Sequence, residues 1–150
     1  MQTACDTATT QISGKVTLVQ EIDADVQVGF LMYLASYGRG GAPATVEERR
    51  AALVGFVYSP FRMGDLMEGI LGRALPDIRL EIFDGDEMSA GSLMYDSQSA
   101  ASVPAQAKRV VLTDTAHLSI YGHTWTARLT MLPVCGVSIG VVPESPQQRH

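Results

Sequence analysis

Apolar and polar positions along the chain fall into short periods that predict strands and a few helices. "VTLVQEI" (Val16 to Ile22) is rich in β-branched residues and reads as a strand. "VGFLMYLASY" (Val28 to Tyr37) is almost wholly apolar and predicts a second strand, buried on both faces. Asp23 to Asp25 between them reads as a hairpin-like connection. After the loop "GRGGAP", Thr45 stands three residues before Glu48, the capping-box spacing for a short helix over "VEERRAAL". "VGFVYSPF" (Val54 to Phe61) predicts a third strand, with Pro60 marking its end or an edge position. Met63, Leu66, Met67, Ile70 and Leu71 share one helical stripe, and Gly72 stops that helix.

A second block follows. Ile78, Leu80 and Ile82 alternate with Arg79, Glu81 and Phe83, the pattern of a half-exposed antiparallel strand closed by an Asp84-Gly85-Asp86 turn. "SLMYDS" reads as a short strand, 97–107 as a loop, and Arg109 to Leu132 as further strands broken near Asp114 and at Tyr121 to His123. Residues 1–12 are weakly patterned, Ser13 to Lys15 reads as a turn, and the tail "PESPQQRH" as disordered. There is no alternating βαβα series, so the predicted class is α+β, with mostly antiparallel strands. The first block is short of strands for a complete sheet, and the chain is expected to begin partway into a domain.

Composition narrows the function classes. Of 150 residues, 46 % are apolar and 18 % charged, which suits one folded domain or two small subdomains sharing a core. Net charge is −5, and Lys15 and Lys108 are the only lysines. Scattered arginines on an acidic chain do not make a nucleic-acid surface. Cys5 and Cys135 lie far apart and read as free thiols. The first ten residues do not read as a signal peptide, and Leu129 to Val142 is interrupted by Pro133, Gly136 and Gly140, so no membrane span is expected.

Candidate chemistry is sparse. His117 and His123, with Asp114 as a third ligand, lack metal-site spacing and read as a polar turn in front of Trp125. Glu47 to Arg50 reads as the solvated face of a helix. Asp84, Asp86 and Glu87 lack the spaced oxygens of a calcium loop and read as a plain turn. "GVSIG" around Ser138 has the outline of a nucleophile elbow but no following helix and no base, which leaves a hydrolase reading without support. What remains is apolar surface: Phe30, Met32, Leu34, Phe56 and Tyr58, with Gly29 and Gly55 at the strand starts. Strand glycines admit a ligand or another backbone, and an apolar cleft with few polar groups is the ordinary small-molecule site. Core packing accounts for the same residues equally well.

The segments "GFLMYLASY", "TVEERRAALVGFVYSPFRMGDLMEGILG", "IRLEIFDGD" and "LMYDS" together resemble the CHASE domain, the extracytoplasmic sensory module of bacterial sensor kinases and cyclases and of plant cytokinin receptors. The resemblance runs from about Ser13 to Leu132. It implies two PAS-like antiparallel sheets in tandem: a partial distal unit over 13–61, a linking helix over 62–76, a proximal unit over 77–132 and a tail over 133–150. It implies a periplasmic or extracellular small-molecule sensing module of a membrane-anchored sensor kinase or diguanylate cyclase. Such a module has no enzymatic activity, cofactor or metal, and is expected to be a homodimer. Matched to the family pattern, the ligand-binding positions are Thr17 and Leu18, then Gly29, Phe30 and Met32, then Gly55, Phe56 and Val57. Strand alternation lets only about half of them face one cavity.

The chain departs from the pattern in three places. The family's long N-terminal helix and early distal strands, with the ligand-anchoring aspartate of the cytokinin receptors, have no counterpart. Ala35-Ser36-Tyr37 stands where the family commonly reads Pro-Val-Tyr, which relaxes the strand end near the pocket mouth. The transmembrane helix expected after the domain also has no counterpart, so the chain reads as a fragment. The alternative is a structural or dimerisation module that binds no ligand, its exposed sheet edge covered by a second copy.

Overall fold

The computed structural model describes residues 1–18, 27–72, 77–98 and 112–132. Helices and two antiparallel sheets alternate along it, an α+β arrangement. In chain order the elements are α1 (Gln2–Thr7), β1 (Gln11–Ile12), β2 (Val16–Leu18), β3 (Gln27–Tyr37), α2 (Val46–Ala52), β4 (Leu53–Arg62) and α3 (Met63–Leu71), then β5 (Ile78–Asp84), β6 (Leu93–Asp96), β7 (Leu112–Ile120) and β8 (His123–Met131).

The first sheet is built around β3. β4 lies antiparallel along one side of it, from Gly29↔Arg62 to Tyr37↔Leu53. On the other side β1 pairs with Met32 and Tyr33, and β2 with Gln27 to Gly29. Ser13 spans the gap between them: its backbone N–H donates to the Leu31 carbonyl at 2.8 Å, and its hydroxyl accepts the Leu31 N–H at 2.9 Å. Ser13 to Lys15 therefore interrupts a single edge and does not reverse the chain as the sequence suggested. Residues 19–26, including the expected Asp23–Asp25 connection, lie outside the described residues. Among the described residues β4 borders β3 alone, and Pro60 sits within it opposite Leu31, where an edge strand tolerates a missing donor.

The first twelve residues hold α1 and β1, which their weak patterning did not announce. α1 lies against the β3 face that carries Tyr33 and Tyr37. The Tyr37 hydroxyl donates to the Cys5 carbonyl at 2.6 Å, and the N-terminal amine lies 3.2 Å from the Tyr33 hydroxyl. Ala4 and Cys5 are buried there, and the Cys5 thiol is free. Cys135 lies outside the described residues. α2 carries the expected capping box on Thr45 and Glu48. Its arginines are not a free solvated face. Arg50 makes a two-pronged ion pair with Asp6 of α1, both bonds at 2.7 Å, and Arg49 donates to the carbonyls of Pro43, Ala44 and Asp6.

The second sheet has the order β6-β5-β8-β7. β5 is internal rather than half-exposed, flanked by β6 and β8. Its Glu81 is 4 % exposed because two arginines answer its charge. Arg128 donates to both Glu81 carboxylate oxygens at 2.8 Å, and Arg79 adds a contact at 3.3 Å. β7 runs unbroken through Asp114, contrary to the sequence reading. The reversal at Tyr121-Gly122 is a two-residue turn with φ of 43° and 76°, both left-handed as a tight hairpin requires.

α3 joins the two sheets, and all three share one core. Phe30 and Met63 meet Ile82, Met94, Trp125 and Ala127, with Ile12 and Met67 alongside. Phe30 stacks on Phe61 at 5.3 Å between ring centroids and meets Trp125 edge-on at 5.0 Å. The α3 stripe is narrower than its sequence suggested. Met63 and Met67 are buried, but Ile70 is 66 % exposed, because only one side of a helix at a sheet junction meets the core. β3 is likewise not buried on both faces: Leu34 is 43 % exposed, lying beyond the stretch that the second sheet covers.

Candidate functional site

The eight strand residues expected to contact ligand divide between the two faces of the first sheet. Register puts Thr17, Phe30, Met32, Gly55 and Val57 on the face turned to the shared core, and Leu18, Gly29 and Phe56 on the other. Phe30 is 4 % exposed and Met32 packs beside it. Thr17 and Val57 are exposed. A Cβ on Gly29 would stand 2.1 Å from the Phe61 carbonyl oxygen and 2.7 Å from Leu18 Cδ1, so that glycine admits a neighbouring strand and side chain. A Cβ on Gly55 would meet nothing within 4 Å.

Two grooves flank α3, and none of the eight lines either. The larger, about 770 Å³, runs between α3, the start of β3 and β6. The amphipathic turn of α3 supplies Asp65, Glu68 and Leu71; β3 supplies Gln27 and Val28; β6 supplies Met94, Tyr95 and Asp96, followed by Ser97. Gly64 and Gly72 stand at the two ends of the helix and keep its flank low. Gly72 has φ 63° and donates its N–H to the Glu68 carbonyl at 3.0 Å, which ends the helix and opens that end of the groove. The smaller groove, about 480 Å³, lies on the other flank between Pro60, Phe61, Arg62, Leu66 and Ile70.

The larger groove has an apolar floor and a charged rim. Met94 is buried, and Val28, Leu71 and Tyr95 pack against the core. Burial raises the Tyr95 phenol above its ordinary value, and the nearby Glu68 charge adds to the effect. Arg79 grips the Asp96 carboxylate at 3.0 and 2.7 Å and holds it below its ordinary value. Asp65 lies 3.7 Å from Arg62. Glu68 has no ion-pair partner among the described residues.

Among the described residues no group of His, Cys, Asp and Glu side chains is placed to hold a metal ion. His123 contacts Asp84, and His117 lies 3.1 Å from the Thr126 hydroxyl and 3.5 Å from Asp86. Asp114 accepts the N–H of Thr115. Ser138 lies outside the described residues. Sequence reading missed the groove because its walls come from three separated segments. The available signal was the pair of carboxylates Asp65 and Glu68, set three residues apart on an otherwise apolar helix.

A family model described as CHASE domain matches residues 1–95, more than half of the chain. The match takes in α1 and β1, which precede the stretch that carried the resemblance, and ends within β6. No curated protein matches the chain. The chain therefore belongs to the CHASE family, whose members are non-catalytic extracytoplasmic sensory domains of receptors.

Proposed function

We propose that the chain is a small-molecule sensing module of a membrane-anchored receptor of the sensor kinase or diguanylate cyclase type, facing the periplasm or the cell exterior. The two sheets act as tandem PAS-like units, one over 13–61 and one over 77–132, with α3 as the link. The observation that carries this reading is the larger groove, about 770 Å³, whose walls come from both sheets and from α3. A ligand seated there touches both units at once, and sensing needs a differential contact between packed elements rather than a reactive group. Thr17 pairs with Val28 and Gly29 follows it in the chain. Of the eight expected ligand positions, these two hold the Val28 wall in place.

Native mass spectrometry of the purified chain tests this reading. A bound small molecule of defined mass is expected, lost when Leu71→Trp fills the groove. Absence of any small-molecule adduct, with a subunit count of two, would favour a second reading. In that case the chain is a structural homodimerisation module. Among the described residues β4 pairs with β3 alone, its Val54, Val57 and Tyr58 are exposed and it carries no charge from Leu53 to Phe61, which supports this alternative.

A further inference from the structure

We propose that the groove between α3 and β6 takes a small organic cation, a protonated amine carried on an apolar body. The proposal rests on the groove being the ligand site and adds the chemical class of the ligand. The volume of about 770 Å³ falls in the range of small-molecule sites. Among the described residues, every charged side chain lining it is a carboxylate: Asp65, Glu68 and Asp96.

These three carboxylates are not equivalent. Asp96 is held by two bonds from Arg79, so its charge is already answered. Asp65 faces Arg62 at the long distance of 3.7 Å. Glu68 has no ion-pair partner among the described residues and lines the groove together with Tyr95. An ammonium group placed beside Glu68 would gain an ion pair, with the Tyr95 side chain lining the same groove. The apolar body would then cover Met94, Leu71 and Val28. An anion of the same shape would meet Asp65 and Glu68 with like charge. A neutral apolar molecule would form no ion pair with either exposed carboxylate.

The test uses two probes of nearly equal shape and opposite charge, phenethylamine and 3-phenylpropanoate, titrated into the isotopically labelled full chain and followed by amide NMR. The amine is expected to shift the amides of Gln27, Gly64, Glu68, Gly72 and Ser97, and the carboxylate to leave them in place. Glu68→Gln should weaken amine binding by about fivefold, the effect of one solvent-accessible ion pair, with an unchanged unfolding curve. Equal binding of both probes at these amides would overturn the cation selection and leave the groove as a ligand site. If neither probe moves them at millimolar concentration, the cation site is overturned, and the native mass measurement decides the sensing reading independently.

Discussion

His123 Nε2 stands 2.5 Å from Asp84 Oδ1, and the other oxygen of that carboxylate accepts the Lys15 backbone N–H at 2.8 Å. One side chain at the end of β5 thus holds the start of β8 and the link between β1 and β2. The Lys15 ammonium adds a bond to the Gly91 carbonyl at 2.6 Å, and the Ile12 N–H donates to the Tyr121 carbonyl at 3.2 Å. These polar contacts fix the β1–β2 edge of the first sheet to the second sheet.

Asp84→Ala should therefore cost about 1–3 kcal/mol, the usual range for hydrogen bonds to a charged, partly buried group. Asp84→Asn keeps one acceptor and should cost less. The chain has one tryptophan, Trp125, buried against Phe30, so urea unfolding followed by its fluorescence reads the loss directly. An unchanged midpoint for the alanine variant would show that this junction does not hold the sheets.

Two strand glycines should respond in opposite ways to the same added methyl group. Gly29→Ala drives a Cβ to within 2.1 Å of a backbone oxygen and should destabilise the chain by about 2–3 kcal/mol. Gly55→Ala enters open space and should change stability by less than about 0.5 kcal/mol. Thermal unfolding of the two variants side by side checks the register of β3 against β4 and β2.

Acid should erode the Arg79–Asp96 pair. The guanidinium holds the Asp96 carboxyl below its ordinary value of 3.8. A carboxyl lowered by folding contributes its full stability above 3.8 and loses it as pH falls from there toward the lowered value. Asp96→Asn should be less stable than the parent near neutrality, and the gap should narrow as pH falls below the ordinary carboxyl value of 3.8. A constant gap across that range of unfolding measurements would remove the ion pair as its cause.

Arg49 should control access to Cys5. Its side chain donates to the carbonyls of Pro43, Ala44 and Asp6, tying α1 to the start of α2 over a thiol that is 3 % exposed. In a Cys135→Ser background, Arg49→Ala should raise the rate of Cys5 labelling by about tenfold, the effect of losing roughly 1.4 kcal/mol of charged hydrogen bonding. Arg49→Lys, with one ammonium in place of the fork, should fall between. Equal labelling rates would mean that Tyr37, the Arg50–Asp6 pair and packing hold α1 without Arg49.

Features encoded within one turn or one strand pair were legible in the sequence. Thr45 and Glu48 announce their helix because both partners of the capping box lie three residues apart. Gly72 marks the end of α3, and Tyr121-Gly122 marks a hairpin, because each is a local backbone requirement. The apolar run of β3 and the alternation of β5 set strand positions, but burial did not follow from pattern alone. Glu81 is buried because Arg128 arrives from a strand 47 residues away, while Leu34 is exposed because the second sheet ends short of it. The groove belongs wholly to tertiary structure. Glu68 on α3 and Tyr95 on β6 follow different periods in separate elements, and they face one space because the shared core of Met63, Met67 and Met94 packs the helix against the second sheet.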